Sequence, residues 1–412
     1  MPGVWRAVVN CYGIVVIFHS PLACAHVARS LEINSYYRIL SESIAKSADT
    51  VPLVSSELEE KHTIFGGAER LKKCIENVVK KYTPKCIVIA NSCVAGVIGD
   101  DVDSVAKDAE KKWQVPVISV STYGFLDGEY YGGYFETAEK IAGRFFKKSP
   151  KVKNTAVLLG DNDGPHGKYA AEVTRLLSLL GIRVICQFPG YTRFEDFPKV
   201  TQGEGLIVLG HRGENSRRFE QFAEKLHQKF EFSYIPDTYP LGWEQTKKWI
   251  INMGIMFSCQ EKAQILLDNE EIALNMFLGK VVPEVQGKKV MLCIGRWLNY
   301  FNPDFILEII DLMKLDLAGI VILTGHSEKM REKMIEEIYK YNPKAVIYDE
   351  QCSDILFKQV ELIITTHELN SNNKQLFIPM LPKAGRNGVM DIMTEIYRSL
   401  CSKKENGGIV YV

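Results

Sequence analysis

The chain has 412 residues, 46% of them hydrophobic and 24% charged, the balance of a soluble globular protein with apolar mass for several cores. Lys+Arg and Asp+Glu stand at 50 each, which excludes the electrostatic footprint of a nucleic-acid or anionic-membrane binder. Ten cysteines spread over this length exclude a compact disulfide scaffold and fit a reducing, cytoplasmic compartment, where most cysteines are small buried hydrophobes and a few are metal ligands.

From the N-terminus, residues 7–18 are nearly all apolar and follow Arg6. Residues 21–24, PLAC, even imitate a lipoprotein cleavage site. The single charge ahead of the run, His19 at its end, and a length below the ~20 residues a bilayer requires favour a buried strand. Short apolar runs then recur at 15–18, 86–90, 115–120, 156–159, 184–187, 206–209, 290–294, 320–323, 345–348 and 362–365. They are too uniformly apolar for a sheet with one wet face. Amphipathic helical patterns lie between them at 68–82, 137–147, 169–180 and 328–341. Such alternation predicts an α/β fold of parallel sheets with helices on both faces. Residues 148–151, KSPK, form a turn-rich break. Residues 241–278 lack strand runs and read as a long helical connection. A new strand then starts at Val290. Three domains are expected: 1–150, 151–285 and 286–412.

In open parallel sheets, ligands sit beyond the carboxyl ends of the strands. Residues 19–24, HSPLAC, and 91–101, NSCVAGVIGDD, follow two of the runs, and each loop carries a cysteine, Cys24 and Cys93. Backbone N–H groups at a helix start favour thiolate, the form that binds soft metals. Neither cysteine belongs to a C-x-x-C pair, which argues against a zinc ribbon. On spacing alone, two inert buried cysteines are the better explanation of the pattern. Asp100-Asp101 read as helix-capping carboxylates, and residues 160–167 as a glycine-rich turn. Residues 324–326 and 366–368 place His326 and His367 after late strands, as candidate proton donors in a cleft. Trp5, Trp297 and Tyr130-Tyr131 read as core or interface.

Residues 56–71, SELEEKHTIFGGAERL, resemble the T-x-L-x-E-x-x-x-x-F-G-G-x-x-x-L signature of the nitrogenase component 1 and nitrogenase-like oxidoreductase family, which includes cofactor-scaffold and dark-operative protochlorophyllide reductase members. Residues 19–24 resemble its H-G-P-x-G-C loop, and 93–101 its C-x-x-x-x-I-G-D-D loop. Gly124-Phe125 resemble its G-F turn, 240–244 (PLGWE) its P-x-G-x-E turn, and 382–388 (PKAGRNG) its glycine-rich C-terminal loop. The resemblance implies three Rossmann-like domains and paired subunits, as a homodimer or with a sister subunit. It implies an iron–sulfur cluster, [4Fe–4S] or larger, shared at the subunit interface with Cys24 and Cys93 as ligands. Gly96, Gly99, Asp100 and Asp101 would shape the second loop. An ATP-dependent iron protein would be the electron donor.

Departures from the pattern sharpen the expectation. Ser20 and Ala23 replace two loop glycines. The family usually carries a further ligand cysteine upstream, at a distance that here precedes Met1, so the remaining ligands are expected from outside these residues, with Cys11 the one early substitute. Gly210 and His211 stand where the catalytic nitrogenase subunit has a cofactor cysteine, and 384–388 lack its histidine. Nitrogen fixation is therefore not expected. The leading expectation is a reductase subunit that passes electrons from the iron protein to a reducible substrate. The alternative is a non-catalytic scaffold for assembling a nitrogenase-type metal cofactor.

Overall fold

The computed structural model describes residues 1–30, 51–122, 130–160, 167–211, 213–295, 301–323, 327–350, 357–378, 381–402 and 409–411. The expectations for Gly124-Phe125, residues 161–166, Trp297 and residues 324–326 lie outside the described residues.

Every apolar run named above overlaps a strand. The first sheet contains β1 (Ile14–His19), β2 (Leu53–Ser55), β3 (Cys86–Asn91) and β4 (Val117–Ser121), all parallel, in the order β2-β1-β3-β4. Every residue of β1 and β3 is buried, as expected of central strands covered on both faces. Residues 14–18 of the signal-like apolar run are thus built into a sheet centre, while residues 7–13 lie before the strand. Helix Ala68–Tyr82 buries Leu71, Cys74, Ile75 and Val78, one stripe at helical spacing, and Val102–Trp113 buries Val102, Val105, Ala106 and Ala109. Both stripes pack on Val15, Ile17, Ile87 and Ile89. Burying one such side chain contributes roughly 1.5–3 kcal/mol, which makes this stripe the element's main tether.

Strand order locates the switch point. The chain runs from β1 outward to β2, then returns past β1 to build β3 and β4. Connections therefore diverge at β1 and β3, and their carboxyl ends flank a crevice of the kind where open α/β sheets bind ligands.

A second sheet has the order β6-β5-β7-β8, from β5 (Val152–Leu159), β6 (Arg183–Phe188), β7 (Gly203–Val208) and β8 (Ser233–Tyr234). The third contains β9 (Lys289–Ile294), β10 (Asp316–Ile322), β11 (Ile347–Asp349), β12 (Leu362–Thr365), β13 (Gln375–Phe377) and β14 (Ile409–Tyr411), parallel in the order β11-β10-β9-β12-β13-β14. The chain divides into two compact units. One comprises Met1–Gly167, Val184–Leu206 and Glu224–Phe232; the other comprises Lys168–Arg183, Ile207–Ala223 and Ser233–Val412. The larger core of the second unit gathers Val290, Leu292, Ile306, Ile310, Ile364 and Ile392 around β9 and β12.

The helical connection is two helices, Trp243–Met256 and Gln260–Val285, packed on each other. Glu308 closes the start of the first. Its carboxylate accepts from the backbone N–H of Trp243 at 2.8 Å and of Glu244 at 2.7 Å, two donors a helix start leaves open. Gly242 makes this approach possible: its φ is 78°, and a Cβ there would lie 2.5 Å from Glu308 Oε2. Among the described residues, no helix is long and apolar enough to cross a membrane.

Candidate metal-binding site

β1 and β3 end in register, His19 opposite Asn91. After His19 the chain turns through Ser20 and Pro21 and is helical over residues 22–30, which puts Cys24 in that first turn. After Asn91, Ser92 caps the short helix Cys93–Ile98, its Oγ accepting from Ala95 N at 3.2 Å, so Cys93 is the first helical residue. Both cysteines are half-buried and unpaired by any disulfide. Burial pushes the Cys24 thiol above its ordinary value, negative charge on Cys93 pushes it further, and a hydrogen bond with Ser20 opposes both. The helix-start argument predicted an easily formed thiolate; at Cys24, burial and the second sulfur outweigh it. A bound cation would reverse that balance, since a coordinating metal deprotonates its thiols.

His19 ties the two loops together. Its backbone carbonyl accepts from Ser92 N at 3.2 Å, just before Cys93. Its ring, fully buried, meets Asp100 Oδ2 through Nε2 at 2.9 Å and Ser56 Oγ through Nδ1 at 2.9 Å. Asp100 also accepts from Gly67 N, at 2.8 Å to Oδ1 and 3.1 Å to Oδ2. Burial lowers the His19 pKa, against the opposing pull of Asp100, which favours a neutral ring; a carboxylate can only accept, so the contact assigns the proton to Nε2. The hydroxyl of Ser56 then donates to Nδ1 while its oxygen accepts from Ser20 N at 3.3 Å. The F-G-G signature acquires a reason here. A Cβ on Gly67 would lie 2.6 Å from Asp100 Oδ2 and 2.5 Å from Leu58 Cδ2. Glycine lets the turn approach the carboxylate that holds it.

Other expected residues are placed differently. Cys11 precedes β1, at the opposite end of the sheet from Cys24. It is buried beside Gly190 and Thr192, and burial pushes its thiol up to about 12. It is not brought to the cysteine pair. Asp101 is the cap, accepting from Ser104 N at 3.0 Å, whereas Asp100 turns inward. Trp5 is buried and donates to Val51 O at 3.4 Å, a core role. The backbone of His367 is fixed by Thr365 Oγ1 at 3.0 Å. Among the described residues, no third Cys, His, Asp or Glu joins the cysteines into a complete metal-holding group.

His211 follows β7, with its N–H donated to Ser216 Oγ at 3.3 Å, and Tyr169 donates its hydroxyl to Gly210 O at 2.5 Å. Sequence reasoning missed the acid nearby. Glu220 accepts from the Tyr239 hydroxyl and from Asp237 N at 3.3 Å, while Oε2 is buried with no partner. Burial pushes its carboxyl from 4.5 up to about 7; the Tyr239 hydroxyl opposes the shift and Asp237 adds to it. Between those values the folded chain keeps a proton that the unfolded chain has released. The stabilisation is complete below the window and is lost as pH rises through it. Glu220→Gln is expected to flatten this dependence by about 1 kcal/mol after screening. Urea midpoints of parent and variant on either side of the window measure it; parallel curves would sink the assignment.

A family model described as "Nitrogenase component 1 type Oxidoreductase" matches residues 1–401. The chain is 27% identical to the "Nitrogenase iron-molybdenum cofactor biosynthesis protein NifE" of Clostridium pasteurianum, over 70% of this chain and 63% of that one. It is 26% identical to the protein of the same description from Nostoc sp., over 94% of this chain and 79% of that one. It is also 26% identical to the "Nitrogenase molybdenum-iron protein alpha chain" of Methanosarcina barkeri, over 60% of this chain and 47% of that one. The chain thus spans less than two thirds of the length of some of these relatives. A solved structure described as "Nitrogenase Cp1 at pH 6.5" superposes with a TM-score of 0.65 at 16% identity, covering 97% of this chain and 88% of that one, a likeness of fold.

Proposed function

The chain belongs to the nitrogenase component 1 type oxidoreductase family, and we propose that it serves there as a scaffold on which a nitrogenase-type metal cofactor is assembled. In this reading Cys24 and Cys93 supply two thiolates to an iron–sulfur cluster whose remaining ligands come from a second subunit, a copy or a sister chain. The observation that carries it is the placement of both cysteines on adjacent loops at the switch point of the first sheet. Thiolates are the donors that iron–sulfur clusters take, and the cluster would supply electron storage at the site.

Two further observations support the reading. Helices His62–Phe65 and Cys93–Ile98 pack against each other and leave Ile64 80%, Phe65 85% and Val97 77% exposed. Large apolar side chains grouped beside a candidate site suit coverage by another protein. The scaffold role itself draws on the relatives named for cofactor biosynthesis and on the motif resemblance, which sets Gly210 and His211 where the catalytic subunit would carry a cysteine. The alpha-chain relative favours a second reading, an electron-accepting oxidoreductase fed by an ATP-dependent iron protein.

Anaerobic purification with iron and sulfide analysis tests the cluster; a colourless, iron-free protein sinks both readings. A purified, cofactor-loaded chain that hands its cofactor to an empty acceptor supports the scaffold. Reduction by an iron protein with ATP, followed by turnover of a substrate and no hand-off, decides for the second.

A further inference from the structure

His19 stands on the Cys24 side of the crevice, yet it holds the Cys93 loop at both ends. Its carbonyl receives Ser92 N at the start of that loop, and its ring meets Asp100 at the close. The Asp100 side chain is only 5% exposed and has accepted every donor within reach: the ring N–H of His19 and the backbone N–H of Gly67. A buried carboxylate is costly unless hydrogen-bonded in this way, so its position is closely determined. Backbone N–H groups of Ser56 and Leu58 donate to Phe18 O at 2.9 Å and Ser20 O at 3.0 Å, which anchors the segment before Gly67 to the same turn.

From this geometry we infer that Asp100 is the positioning residue of the cysteine pair, fixing the spacing of Cys24 and Cys93 before any metal arrives. The inference deepens the reading of those cysteines as ligands, but it concerns the spacing of two thiols and stands apart from which metal they hold. Asp100 touches neither sulfur in the hydrogen-bond network; it acts through His19 on one loop and by closing the other. A carboxylate is not essential to that role. In Asp100→Asn, the amide oxygen can accept from Gly67 N, and the amide N–H can donate to His19 Nε2. The ring must then carry its proton on Nδ1 and donate to Ser56 Oγ, the reverse tautomer. Asp100→Ala offers neither contact and leaves the His19 ring and Gly67 N without their buried acceptor.

The test uses the reduced, metal-free full chain and dibromobimane, a short reagent that fluoresces after bridging two neighbouring thiols. The parent is expected to cross-link Cys24 to Cys93, with the signal absent in Cys24→Ala. Asp100→Ala is expected to cross-link about tenfold more slowly, the low end of what loss of an outer hydrogen-bond partner does to a ligand site. Asp100→Asn is expected to restore the parent rate, and nitrogen-15 shifts of labelled histidine should show His19 protonated on Nδ1 in place of Nε2. Cross-linking of Asp100→Ala at the parent rate overturns the inference. So does an Asp100→Asn chain that shows the reversed tautomer and still fails to cross-link, a result that decides the matter even where Asp100→Ala does not fold. Cadmium(II) titration of the same samples separates the two levels. A parent that cross-links but takes no cadmium with thiolate absorbance removes the metal site and leaves the positioning role standing.

Discussion

Cys24→Ala and Cys93→Ala are each expected to remove nearly all the iron and visible absorbance proposed for the anaerobically purified parent. The reasoning is one of donor count. Each loop carries a single cysteine, and among the described residues no group of three or more Cys, His, Asp or Glu is assembled that could stand in for a lost one. Alanine replaces a half-buried thiol without a cavity large enough to threaten the fold, so circular dichroism should be unchanged while the colour disappears. Cys11→Ala is the internal control. That thiol is buried at the other end of β1 beside Gly190 and Thr192, and its loss should leave the iron content intact. Iron retained in both loop variants, or lost in the Cys11 variant alone, would remove the site from the crevice. The expected loss also carries a thermodynamic consequence. Metal bound only by the folded chain adds its binding free energy to folding, so the loop variants should unfold at lower temperature than the loaded parent and at the same temperature as the metal-free parent.

Patterning made the central strands legible because burial on both faces writes itself as uninterrupted apolar runs: β1, β3, β9 and β12 all appear this way. Strands β2, β8 and β13 were not legible, since two or three residues carry no period. At the site, motif spacing located both cysteine loops, but the forces on them were out of its reach. Paired acids before a helix read as a double cap; Asp101 caps, and Asp100 instead meets Gly67 on a distant turn. The helix-start rule for Cys24 counts only local dipoles, whereas burial and Cys93 arise from the assembled sheet. The P-x-G-x-E turn has the same character. Its glycine is readable in the sequence, yet the reason for it is Glu308, which enters from another helix to bond the N–H groups of Trp243 and Glu244. Recognisable motifs in this chain are thus the exposed half of contacts whose other half is unremarkable in sequence. The electron-transfer reading led on motifs alone; the relative matched over 94% of the chain carries a biosynthetic name and backs the scaffold proposal better.

The largest loss of stability is expected from a residue no motif marked. Glu270, on Gln260–Val285, is 6% exposed at its side chain and receives Arg386 Nε at 2.8 Å and Arg175 from 3.2 Å. Arg175 also bonds the buried Glu172 at 2.7 Å, which accepts from Asn387 Nδ2 at 3.1 Å. Two glutamates and two arginines thereby join helices Lys168–Leu179, Gln260–Val285 and Gly385–Cys401 within one unit. Glu270→Ala leaves Arg386 mostly buried without its carboxylate, and breaking one partner of a buried pair typically costs ~3–5 kcal/mol. Arg175 retains Glu172, which places the cost chiefly on Arg386. Replacing both members, Glu270→Met with Arg386→Met, removes the stranded charge along with the pair. Because desolvating two ions offsets most of their attraction, the double variant should lose far less than the sum of the single ones. Urea unfolding of Glu270→Met, of Arg386→Met and of the double variant measures the coupling. A Glu270→Ala cost below ~1 kcal/mol would mean that water reaches this cluster and that the three helices are held by their apolar faces alone.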